Sequence, residues 1–203
     1  MSARATKKGS ASLVHRLKIV LLGVKPQVWR RIEVESNVRL SRLSRILLEG
    51  MGWYDLHMHQ FIVGGDYYGV LGPDFPDNMI DEAKFTLAAI APCVKDRFHF
   101  DYDFGDGWEH RVVVEDMAEA VPGVMYPRCT GGANACPPED CGGPHGYADL
   151  LDVLADPTEE RDADEWENIP DDFDPAYFDL DKVNARIQRI TGDTSLYTQL
   201  MGA

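Results

Sequence analysis

The chain has no apolar stretch long enough to cross a bilayer. Runs such as Ile19–Leu22 and Ile46–Leu48 fall far short of the ~20 residues that a membrane helix needs. Nor does an apolar core follow the basic start, MSARATKKGSAS, so no secretory signal is read there. Residues 1–12 are expected to be a disordered tail, and the cytoplasm is the expected compartment, with no membrane partner. Cysteine is scarce, at four in 203 residues, and no two are spaced as CxxC. In a reducing compartment thiols are more often metal ligands than bridges. Positive charge is scarce beyond residue 50. Residues 1–50 carry 11 Lys/Arg against 3 Asp/Glu, whereas residues 51–203 carry 9 against 31. That asymmetry argues against a protein that coats nucleic acid along its whole surface, while leaving room for a local basic contact.

What is present has clear periodicity. Leu13, His15, Leu17, Ile19 and Leu21 alternate with Arg16 and Lys18, the period of a strand with one buried face. Gly23 to Pro26 form a turn, and Val28–Val34 return as a second strand. Between Leu40 and Met51 the period changes. Leu40, Leu43, Ile46 and Leu47 make a helical apolar stripe, with Arg39, Arg42 and Arg45 on another flank and Ser36 or Asn37 as the expected cap. His57, His59, Phe61 and Val63 share a parity in a third strand that ends at Gly64-Gly65. This strand–strand–helix–strand opening is that of a ubiquitin-like or similar α+β layer.

Residues 70–95 read as loop with about a turn of helix. A hairpin follows, with Phe98, Phe100, Tyr102 and Phe104 on one face, a turn at Gly105-Asp106-Gly107, and Trp108, His110, Val112 and Val114 returning. A Cys/Gly/Pro loop at 126–146, a helix at Tyr147–Ala155 and an amphipathic helix around Leu180–Ile190 complete the chain. The expected fold is a single α+β domain with a mixed, largely antiparallel sheet and two or three packed helices. The expected core spans 13–155, and 156–203 is an acidic connector plus a C-terminal helix packing on that core.

The segments LKIVLLGVKPQVWRRIEV, MGWYDLHMHQFIVGG, YDFGDGWEHRVVVE, YPRCTGGANACPPEDCGGPHGY and FDLDKVNARI occur in this order. Together they resemble the plasmid pRiA4b ORF-3-like family from about Val14 to Ile190. The resemblance implies a compact α+β domain of poorly defined function in bacteria and archaea, with some members tied to mobile elements and labelled resolvase-like. It brings no catalytic residues with it.

Three chemical constellations stand out. Cys129, Cys136 and Cys141 lie in a glycine-rich loop that can bend ligands inward, with His145 three residues beyond the last. Zinc takes four thiolate or imidazole ligands, and the expected set is Cys129, Cys136, Cys141 and His110 from the adjacent hairpin. Buried free thiols or a disulfide are the competing readings of the same loop. His57 and His59, at i and i+2 on a strand, point to one side, and with His110 they suggest a metal-dependent hydrolase aided by Glu109 or Asp103. Asp101 and Asp103 are expected on one strand face, where the commoner outcome is a solvated, charge-paired surface. Arg30, Arg31, Arg42 and Arg45 are the candidate nucleic-acid contacts, with a solubilised helix face as the alternative. The acidic tract 156–181, with 12 acids against one Arg, is a candidate contact for a basic partner or a solvated connector. The leading functional expectation is a binding or adaptor module, zinc-stabilised and linked to mobile elements. The metal-dependent hydrolase is the alternative.

Overall fold

The structure, a computed structural model, describes residues 12–72, 78–156, 169–170 and 172–192. The expected N-terminal tail, but for Ser12, and residues 157–168 and 171 of the acidic tract lie outside the described residues. Eight strands form one sheet: β1 (Leu13–Leu21), β2 (Trp29–Glu35), β3 (His59–Val63), β4 (Asp66–Gly69), β5 (Ile80–Asp81), β6 (Arg97–Tyr102), β7 (Trp108–Glu119) and β8 (Arg128–Ala133). Their order across the sheet is β5-β4-β3-β6-β7-β1-β2-β8, and every pairing is antiparallel except β4 with β5. Four helices accompany it: α1 (Leu40–Met51), the one-turn α2 (Leu87–Ile90), α3 (Gly143–Ala155) and α4 (Leu180–Gly192). The chain is therefore a mostly antiparallel α+β domain, as its periodicity implies. Among the described residues no helix is long and apolar enough to cross a membrane.

The β1 alternation is what buries one face. Leu17, Ile19 and Leu21 are sealed against the α1 stripe of Leu40, Leu43, Ile46 and Leu47, while Arg16 and Lys18 stay on the far side. His15 shares the buried parity and is accommodated by hydrogen bonds, Nδ1 with Ser36 Oγ at 2.8 Å and Nε2 with the Ala91 carbonyl at 2.9 Å. Ser36 is thereby occupied and does not cap α1. Arg39 holds the cap position without a side-chain bond, and the first turn is satisfied by Leu40 N–H donating to the Phe85 carbonyl. Helix α4 packs on α1 and β8. Asn184 seals the latter contact by accepting from Cys129 N–H at 2.8 Å and donating to the Cys129 carbonyl at 3.0 Å.

Two departures from the sequence reading matter for function. The first segment of the cysteine loop, Arg128–Ala133, is an edge strand pairing with β2. Glycine weakens strands, but Gly132 is required here, because an added Cβ would lie 2.5 Å from the Phe178 ring. The hairpin strand β6 also stops at Tyr102. Asp103 takes a left-handed backbone (φ +52°), which breaks the parity with Asp101, buries the Asp103 carboxylate and turns Phe104 out to solvent. Helix α3 begins four residues earlier than expected, since Pro144 sits in its first turn, where a missing N–H costs nothing.

Candidate functional site

Three irregular segments meet at one end of the sheet: the α1–β3 connection, the β6–β7 turn and the loop between β8 and α3. Gly52, at φ +129°, ends α1 and lets the chain turn back. Trp53 then folds inward, where its Nε1–H donates to the Pro137 carbonyl at 2.9 Å and its ring lies against Tyr102, Trp108 and His110. Glu139 ties the same segments together. Its Oε1 accepts from Tyr54 N–H at 2.9 Å and from the Tyr102 hydroxyl at 3.2 Å, while that hydroxyl accepts from Leu56 N–H at 3.1 Å. Burial pushes the Glu139 carboxyl and the Tyr102 hydroxyl above their ordinary values.

Beyond Tyr54 the chain is extended, and its side chains alternate. Tyr54, Leu56 and Met58 are exposed, while His57 and His59 turn inward. His57 Nε2 lies 3.1 Å from Asp140 Oδ1 and 3.6 Å from Asp103 Oδ2. Among the described residues these three form the one group of His, Cys, Asp or Glu whose ligand atoms all lie within 4.8 Å of one another. Asp103 is set by its own turn, where Oδ1 accepts from Gly105 N–H at 3.0 Å and Asp106 N–H at 3.3 Å. Oδ2 is left facing His57.

Next to this group is a cleft of about 500 Å³. Trp53, Tyr54, Phe173, Tyr177 and Phe178 form its apolar walls, Cys136 and Arg30 contribute to its lining, and Glu139 and Asp140 belong to it as well. At its rim the Lys182 ammonium lies 5.2 Å from the centroid of the Tyr177 ring, and the Arg186 guanidinium lies 4.8 Å from that of Tyr54.

The expected metal set is not brought to a common point. Cys129 is buried on β8 with Sγ directed at the Gly131 carbonyl at 3.3 Å. Cys136 faces Gly52 and the cleft, Cys141 is buried at the approach to α3, and all four cysteines are free thiols. Burial pushes the Cys141 thiol up to about 12 and raises Cys129 and Cys136 too, so each favours the neutral thiol. His110 is fully buried on β7, with Nδ1–H donating to the Phe100 carbonyl at 2.9 Å, and desolvation holds it down to about 4.

The three histidines separate in the same way. His59 is engaged by Glu82 from the turn after β5, Nε2 to Oε2 at 3.1 Å, with Asp55 Oδ1 4.0 Å from its other nitrogen. His110 is held by the Phe100 carbonyl, and His57 alone reaches the two aspartates.

The four arginines fall in separate places. Arg30 is buried and donates to the carbonyls of Gly50, Trp29, Ala133 and Asn134, so burial lowers its pKa. Arg31 points to the opposite face and pairs with Glu115, Nη2 to Oε1 at 3.1 Å. Arg42 is exposed on α1, and the half-buried Arg45 acts on Asp55. Asp140 and Glu139 were invisible as site residues because the cysteines around them dominate that loop. Their adjacency as the acidic pair in CPPEDC is the one feature that could have drawn attention to them.

Residues 13–182 match the family described as plasmid pRiA4b ORF-3-like protein. The chain belongs to the plasmid pRiA4b ORF-3-like family. This pRiA4b ORF-3-like chain is 38% identical over 180 residues to the uncharacterized protein y4hQ of Sinorhizobium fredii, covering 87% of this chain and 91% of that protein. It is also similar to the crystal structure of MM3350, a protein of unknown function from Methanosarcina mazei Go1. There the TM-score is 0.77 at 36% identity, covering 85% of this chain and 98% of the other. His57, Asp103 and Asp140 each come from a different one of the segments that carry the family resemblance.

Proposed function

We propose that this chain is a binding module that takes a small organic ligand in the cleft beside Trp53. The ligand has an aromatic or extended apolar body and an anionic group directed to the Lys182/Arg186 rim. One observation carries this reading: a cleft of about 500 Å³ with five aromatic walls and a few charged groups at its edges. That size and lining are those of small-molecule sites, which run to roughly 300–1,000 Å³ and are mostly apolar with a few orienting polar groups. A nucleic-acid track is not favoured, since Arg30 is buried, Arg31 is paired on the far face, and Arg42 and Arg45 lie elsewhere on α1. A three-histidine hydrolase is not favoured either, because His57, His59 and His110 each meet different partners.

The test uses 1-anilinonaphthalene-8-sulfonate, whose aromatic body and sulfonate match the proposed chemistry. Native protein is expected to show one saturable site. Lys182→Glu should weaken it, and Ala135→Trp, which places bulk in the cleft lining, should abolish it without changing the circular dichroism. Non-saturating fluorescence, or equal binding by both variants, would refute the proposal.

A further inference from the structure

The corner formed by His57, Asp103 and Asp140 concentrates negative charge with little to balance it. Asp103 and Asp140 both make their ion pair with the same imidazole. Glu139 adds a half-buried carboxylate close enough to feel His57 and Asp140. Asp106, whose N–H bonds Asp103, adds a buried Oδ2 that has no hydrogen-bond partner. The Asp103 side chain is only 9% exposed. Its Oδ1 takes both turn N–H groups, whereas Oδ2, which receives no hydrogen bond among the described residues, faces His57 Nε2 at 3.6 Å. His57 Nε2 is likewise shielded from solvent and makes no hydrogen bond of good geometry, although Asp140 Oδ1 is 3.1 Å away. The three ligand atoms all lie within 4.8 Å of one another, close enough for one ion to reach all of them.

We propose that His57, Asp103 and Asp140 form a divalent-cation site at the mouth of the cleft, for an ion of the zinc, manganese or iron(II) class, with no cysteine ligand. One imidazole with two carboxylates suits first-row divalent ions, whereas magnesium and calcium prefer oxygen alone. No cysteine Sγ joins the group: among the described residues, the ligand atoms that lie within 4.8 Å of one another belong to His57, Asp103 and Asp140 alone. Three protein ligands leave coordination positions open, and because Asp140 also lines the cleft, those positions adjoin whatever the cleft holds. The site stands independently of the identity of that ligand.

Protein purified without a metal-affinity tag and stripped with chelator is titrated with manganese chloride, followed by the electron paramagnetic resonance of the free ion, and with zinc chloride by calorimetry. One equivalent of at least one of these ions is expected to bind. His57→Gln and Asp140→Asn should each weaken it by about tenfold or more, and Cys129→Ser and Cys136→Ser should leave it unchanged. Cobalt(II) should show ligand-field bands without a thiolate charge-transfer band. Should His57→Gln fail to fold, Asp140→Asn decides, because the Asp140 side chain is 52% exposed and lies outside the core. No binding of either ion by the wild-type chain, undiminished binding by Asp140→Asn, or a thiolate–cobalt band would each overturn the proposal.

Discussion

His110 makes the fold acid-sensitive by an amount that the structure sets. Its ring is fully buried between Phe100 and Trp53, Nδ1–H is used by the Phe100 carbonyl, and Nε2 has no partner to receive a second proton's charge. Desolvation lowers its pKa from 6.5 to about 4. Because the folded value lies below the unfolded one, the unfolded chain binds the extra proton between these values, and stability falls as pH drops. The full difference corresponds to about 3 kcal/mol, reached near pH 4, and about 2 kcal/mol of it is lost between pH 7 and pH 5. The comparison variant is His110→Asn, whose amide can still donate to the Phe100 carbonyl but does not titrate. Urea unfolding, followed by the fluorescence of Trp53 beside the ring and of Trp108 against Trp53, gives stability at each pH. Chelator is kept in the buffer so that bound metal does not contribute. His15, which desolvation also lowers, and the carboxylates act in both proteins and cancel in the comparison. The wild-type chain should lose about 2 kcal/mol more than the variant between pH 7 and pH 5. Parallel curves would refute the buried, neutral imidazole.

Gly143→Ala should cost roughly 2 kcal/mol or more in the same unfolding assay, since Gly143 has φ +70° and an added Cβ would collide with the Asp106 carbonyl. Gly65→Ala, at φ +101° with open space around it, should cost less, so equal losses would remove the steric argument. Tyr102→Phe deletes the hydroxyl that joins Leu56 N–H to Glu139, and it should cost about 1–2 kcal/mol. It should also loosen the α1–β3 connection, read as faster hydrogen exchange at Tyr54 and Leu56. Unchanged exchange there would show that Glu139 holds the connection without the phenol.

The parts of this fold legible in the sequence are those where one face is buried and the other wet. Alternation placed β1, β6 and β7, and the 3.6-residue stripe placed α1 with its full length, because burial on one side writes a period into the residues. Strand β8 was not legible. Its sequence, RCTGGA, includes Gly132, which the ring of Phe178 and the stem of Arg30 require, and those partners come from distant segments. The site was half legible. His57 and Asp103 stood out as candidates by residue type, yet Asp103 was assigned to the wrong face, since parity rules fail at a left-handed residue. Asp140 had no periodic or spacing signal, and its meeting with His57 follows from Glu139 clamping one loop on another. The cysteines carried the louder local pattern, but their backbone sits on an edge strand, a cleft wall and a helix start, and none joins the group of three ligand atoms within 4.8 Å of one another.

The most direct measurement is an anomalous difference map from crystals grown with zinc chloride. A peak about 2.0–2.2 Å from His57 Nε2, Asp103 Oδ2 and Asp140 Oδ1 is predicted at the cleft mouth. A peak at Cys129, Cys136 or Cys141, or none within reach of His57, would contradict the account.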